Sequence, residues 1–150
     1  MFEVSFNSPQ CGWMSIGFKD SASEFHTTTA HAPHAAALPE LIQILTKLAD
    51  DSTENDFLLK WNRDPEEFDF RLLRDGGDVT LEIYQYPTDE RDAGERELVF
   101  THNGKVRDVC AAFAETFEQL YKDRDTDEFE FNWRQPFPFQ EYEEFKKRMN

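Results

Sequence analysis

Residues 57–86 read FLLKWNRDPEEFDFRLLRDGGDVTLEIYQY, three strand patterns joined by two turns. Phe57 to Trp61 is apolar apart from Lys60 and stops at Asn62-Arg63-Asp64-Pro65. Phe68, Phe70 and Leu72 alternate with Asp69 and Arg71, and Val79, Leu81 and Ile83 alternate with Thr80, Glu82 and Tyr84. A period of two puts each apolar set on one face of a strand. Between them, Asp75-Gly76-Gly77-Asp78 is a hairpin signal, because both glycines accept the positive φ of a primed turn. Hairpin links this short imply antiparallel pairing.

Beyond this meander, residues 87–95 form a charged loop and Glu97 to Thr101 a further strand. His102-Asn103-Gly104 marks the break into a helix whose apolar stripe is Val106, Val109, Cys110, Phe113, Phe117, Leu120 and Tyr121. Upstream, Leu38, Leu41, Ile42, Leu45, Leu48 and Ala49 form a second stripe. Its helix has Pro39 in the first turn and its end near Asp50-Asp51-Ser52. The N-terminus supplies strands over Phe2 to Phe6 and Trp13 to Phe18. Residues 19–37 are an exposed segment with one short strand near Phe25 to Thr29. Phe129, Phe131 and Trp133 alternate with Glu128, Glu130 and Asn132, which predicts a last strand before a short helix carrying Tyr142, Phe145 and Met149. The expected fold is α+β: a mainly antiparallel sheet of about five to seven strands, two long helices on one face and a short C-terminal helix.

One hundred and fifty residues fit a single domain spanning 1–150. Apolar residues make up only 39%, but aromatics reach 15%, and large rings supply the burial that offsets chain entropy. Sixteen basic against 31 acidic residues leave a net charge of −15. Such a field repels phosphate backbones and anionic lipid, which argues against nucleic-acid and membrane-surface partners. No apolar run approaches the roughly 18 residues a spanning helix needs, and the first residues lack the basic-then-apolar pattern of a secretory signal. Cys11 and Cys110 are then expected as free thiols in a cytoplasmic protein.

No phosphate loop, dinucleotide fingerprint, serine elbow or zinc-protease helix is present. His26, His31 and His34, with Cys11 as a fourth ligand, are the nearest approach to a zinc set, although Pro33 breaks any helix that would align His31 with His34. They carry one alternative, a metal-dependent enzyme or small-ligand protein. Gln10-Cys11-Gly12-Trp13 faintly resembles the nucleophile region of papain-type proteases, but here the thiol lies between strands instead of at a helix N-terminus. Asp123, Asp125 and Asp127 mimic the opening of a calcium loop, yet Glu128 stands where that loop needs glycine and Arg134 where it needs glutamate. No cofactor is expected.

Strand alternation places Glu3, Asp69, Glu82, Glu97, Glu128 and Glu130 opposite the core residues, so a sheet face not covered by helices would be open and acidic, with Tyr84 and Tyr86 adding contact area. Like charges facing each other across strands cost about 0.2–1 kcal/mol per pair, and electrostatic capture of a basic protein is a gain that would offset this. Trp133 and Phe137, within Trp133-Arg134-Gln135-Pro136-Phe137-Pro138, are either docking anchors or a tail packed on the body. As anchors they would also serve a structural or adaptor subunit.

The opening strand, Trp13, the Leu38 to Leu48 helix and the closing Trp133 to Pro138 segment resemble a group of small acidic bacterial proteins to which no activity is assigned. The chain is also similar in general type to the immunity proteins of toxin loci. That second resemblance implies a non-enzymatic inhibitor that masks a basic toxin and carries no functional residue across.

Overall fold

Among the described residues, 1–50 and 53–149 of a computed structural model, seven strands form two antiparallel sheets instead of the single sheet expected. The first sheet is β1 (Glu3–Phe6), β2 (Trp13–Lys19) and β3 (Glu24–Ala30), in that order. The second is β4 (Asp56–Asn62), β5 (Glu67–Asp75), β6 (Asp78–Tyr86) and β7 (Glu97–Lys105), also in chain order. Four helices complete the α+β fold: α1 (Ala37–Ala49), α2 (Val106–Asp123), α3 (Phe129–Trp133) and α4 (Phe139–Met149). The sheets part where α1 intervenes. Every strand link except β3 to β4 is a hairpin or a simple return, and that one contains a helix.

The β5–β6 turn has Gly76 at φ 61°, while Gly77 is not at positive φ, the pattern of a II′ turn. The register then runs unbroken from Asp75 opposite Asp78 to Glu67 opposite Tyr86. Phe57, Leu59, Trp61, Phe68, Phe70, Leu72, Val79, Leu81, Ile83 and Phe100 are buried on one face of this sheet. Against them stand Phe6, Met14, Ile16 and Phe18 of the first sheet and the stripes of α1 and α2. The rings interlock: Phe18 meets Phe70 at 5.8 Å, Phe6 meets Trp61 at 6.0 Å, and Phe6 meets Phe117 edge-on at 5.4 Å. The α4 helix packs outside, on α1 and α2, through Tyr142 and Phe145. The other face of the four-stranded sheet stays open, with Leu58 and Leu98 exposed upon it.

Two further expectations are corrected. His102-Asn103-Gly104 does not break the chain: β7 runs on to Lys105, which pairs with Asp78, and α2 begins at the next residue. Gly104 serves close approach here, since a Cβ would lie 2.8 Å from Nε2 of His102. Phe129 to Trp133 is a short helix, not a strand, with Phe129 and Trp133 buried and Phe131 74% exposed. The α1 helix ends at Ala49, where the Asp50 N–H bonds the Thr46 carbonyl; Asp51 and Ser52 lie outside the described residues. No described helix is long and apolar enough to cross a membrane.

Candidate functional site

One end of the open sheet face is closed by a polar cluster. Asn62, Glu67 and Tyr86 share a cross-strand row, and Asp69 lies one row further along β5. All four are buried. Two segments cover them. From residues 31–36, His34 donates through Nε2 to Oε1 of Glu67 at 2.8 Å. From the loop after β6, Arg91 donates to Oε1 of Glu67 at 2.6 Å and also to Oδ1 of Asp69. Asn62 donates to Oε2 of Glu67, and the Tyr86 hydroxyl to Oδ2 of Asp69 at 2.8 Å. The Arg91 guanidinium lies 4.7 Å from the Tyr86 ring centroid. Burial by itself would raise the Glu67 carboxyl, but the hydrogen bonds from His34 and Asn62, the His34 charge and the Arg91 contact together outweigh it and hold the group below its ordinary value. A carboxylate saturated with donors is a poor proton acceptor, so this cluster works as a clamp and not as a general base.

Beside the clamp opens a cleft of about 510 Å³, lined by Trp13, Ala30, His31, Ala32, Pro33, Asn62, Asp64, Pro65 and Asp89. Its position follows from two turns. Cys11 and Gly12 take positive φ of 53° and 84° between mutual backbone bonds of Gln10 and Trp13, a primed turn that starts β2 at Trp13. The His31 N–H bonds the Gly12 carbonyl at 2.9 Å, and Nδ1 of its ring lies 3.2 Å from the same oxygen. Asp64, at φ 66°, leads the opposite turn between β4 and β5.

Exposed acids are densest in two segments, the first of which runs into the start of β7. Residues 87–97 hold Asp89, Glu90, Asp92, Glu95 and Glu97, all exposed. Of their two arginines, Arg91 enters the clamp, while Arg96 stacks over Tyr84 at 4.0 Å and stays exposed. Residues 123–130 repeat the arrangement, with Arg124 laid over Tyr121 at 3.9 Å and Asp125, Asp127, Glu128 and Glu130 exposed. Both segments therefore show several carboxylates to solvent, with Arg96 as their one exposed cation.

The expected partner-binding residues do not form one surface. Glu3 is exposed on the three-stranded sheet, Glu82 and Tyr84 are half-buried on the four-stranded sheet, and Glu97 is exposed at the start of β7. Asp69 and Tyr86 are buried under Arg91, contrary to their expected place on an open face. Glu128 and Glu130 belong to the α3 corner and not to a strand. Trp133 and Phe137 are buried, Trp133 against Trp61 and Phe137 against Phe129, so they are packed and not docking anchors. The sheet face itself is not acidic, because opposite charges meet across strands: Lys60 faces Asp69 and Arg71 faces Glu82. Arg71 also holds Asp56 through two bonds of 3.2 and 3.0 Å.

The three histidines part company as well. His26 pairs with Glu24, His31 with the Gly12 carbonyl and His34 with Glu67. Among the described residues, no three His, Cys, Asp or Glu side chains stand where they could hold a metal ion. Cys11 is exposed in its turn, whereas burial pushes the Cys110 thiol up to about 12. Compared with family models, curated proteins and solved structures, the chain gives no significant match.

Sequence reasoning missed Glu67 and Arg91. The available signal was an Arg set between acids in the loop after β6 and a Glu beside a buried Phe. It also missed a latch between the sheets, in which Nδ1 of His102 on β7 bonds Oδ2 of Asp20 at 2.8 Å and Phe2 stacks on the imidazole at 4.2 Å. That bond, with the Ala22 and Ser23 N–H groups, lowers the Asp20 carboxyl from 3.8 to about 2. A depressed folded value means that the contribution of Asp20 to stability is full above 3.8 and is lost as pH falls through about 2. Asp20→Asn should therefore flatten the acid limb of stability, read as urea midpoints at about pH 4, 3 and 2. An unchanged slope would contradict the assignment.

Proposed function

We propose that this chain is a non-enzymatic binding protein that masks a basic protein by charge and shape, as an immunity-type inhibitor masks its toxin. The observation that carries the reading is the density of exposed carboxylates on residues 87–97 and 123–130, where Arg91 folds onto Glu67 and Asp69, Arg124 lies over Tyr121, and Arg96 alone of the three stays exposed. The net charge of −15 adds a long-range field that speeds encounter with a cation by up to ~10³-fold at low salt and repels nucleic acid. The saturated clamp supports the same reading, since its carboxylates are committed to structure.

The test is capture from a lysate of the source organism at low and then moderate salt, with the bound protein identified by mass spectrometry. One basic protein should bind in stoichiometric amount and leave with salt. Replacing Glu90, Asp92, Glu95 and Glu97 by Lys should weaken its binding at least about tenfold. Equal reversal at Asp56 and Glu82 should have a smaller effect. Undiminished binding by the loop variant would overturn the proposal.

A further inference from the structure

We infer that the cleft beside the clamp seats one arginine side chain of the basic partner, an inference that rests on the masking reading above. The chemistry of the walls selects the occupant. Trp13 is 37% exposed, while Trp61 and Trp133 are each at 2% or less, so Trp13 is the indole that presents surface to an incoming group. Pro33 and Pro65 supply apolar walls, and Asp64 and Asp89 supply carboxylates from opposite segments of chain. The Nδ1 edge of His31 lies 3.2 Å from the Gly12 carbonyl, so the ring is held against that turn as a further wall. Among the described residues no Lys or Arg lines the cleft, and the nearby Arg91 is spent on Glu67 and Asp69.

An aromatic surface with acceptors around it calls for a flat cation that donates on several sides. Guanidinium is planar, weakly hydrated, rich in donors and without an acceptor, and it stacks on indole. An ammonium is a compact, strongly hydrated point charge that gains less from a broad aromatic wall. An anion would meet two carboxylates, and a purely apolar ligand would strand them.

The test follows the indole N–H resonance of Trp13 while a blocked Gly-Arg-Gly peptide, or its uncharged citrulline counterpart, is added to the whole chain. The arginine peptide should shift the Trp13 resonance and the citrulline peptide should not. Asp64→Asn with Asp89→Asn should weaken the response about tenfold. Asn tolerates the left-handed backbone at position 64, and Asp89 is exposed, so this chain should keep its fold. An equal response to citrulline, or an unweakened response in the double variant, overturns the inference. Partner capture separates it from the reading beneath it. If the four loop reversals abolish capture while the cleft variant captures with unchanged affinity, the arginine seat fails and masking stands. If neither changes capture, both fail.

Discussion

Arg91→Met should lower the unfolding free energy by about 3–5 kcal/mol at neutral pH, read from urea or thermal unfolding. The variant keeps an unbranched apolar stem and removes the cation together with its hydrogen-bond donors. What remains is Glu67 and Asp69, both buried, two positions apart on one face of β5, with their shared guanidinium gone. His34 and Asn62 still reach Glu67, and Tyr86 still reaches Asp69, but the one cation that bonded both carboxylates is gone. The cost is mostly that of leaving charges uncompensated, not the net worth of the original bridge. The effect should therefore shrink as pH falls, because the stranded carboxyls take up protons in the folded variant. Arg91→Lys should recover only part of the loss, since an ammonium cannot fork to both carboxylates. A loss below about 1 kcal/mol for Arg91→Met would mean that the clamp does not hold the loop, and the inward turn of Arg91 would lose its structural meaning.

Trp61→Ala should cost about 3–5 kcal/mol, measured in the same way. The indole is fully buried on the inner face of the four-stranded sheet. It touches Phe6 of the first sheet at 6.0 Å, Phe70 of its own sheet at 6.0 Å and Trp133 of α3 at 6.3 Å between ring centroids. Its Nε1 donates to the Ala30 carbonyl at the end of β3, 3.1 Å away. Removal opens a cavity where both sheets and the C-terminal segment meet, and it also leaves a buried carbonyl without that donor. Trp61→Phe should fall well short of the Ala variant, because most of the ring volume survives and only the hydrogen bond and one ring are lost. Equal losses in the two variants would place the hydrogen bond above packing at this point.

The helices and hairpins of this fold are legible in the sequence because each has one dominant period. The Leu38 to Leu48 stripe becomes α1, the Val106 to Leu120 stripe becomes α2, and Gly76 sits in the turn its residue type demands. The failure at Phe129 to Trp133 has a definite cause: positions i and i+4 share a face in both a strand and a helix, so burial of Phe129 and Trp133 fits either. Only the middle residue distinguishes them, and Phe131 turns out to face solvent. Alternation likewise places Asp69 correctly on the face opposite Phe68 and Phe70, but it cannot say what covers that face. The cover comes from Arg91, 22 positions along the chain, and from His34, 33 positions before Glu67. The cleft is illegible for the same reason, since Trp13, His31, Asp64 and Asp89 come from four separate stretches of chain. The acid excess is legible as a number, whereas its location depends on which arginines fold inward.

The contrast between the two thiols gives the molecule a built-in attachment point. Cys110 is sealed beneath α1, its thiol lying 3.8 Å from the Leu45 carbonyl and held almost entirely protonated. Cys11 stands exposed on its turn two residues before Trp13. A maleimide dye or nitroxide applied to the folded protein will therefore mark a single position, two residues before the Trp13 that lines the cleft, with no engineered cysteine and no need to remove one. Docking of any molecule there can then be followed at nanomolar concentration by fluorescence, or as distance-dependent broadening of the partner's own resonances.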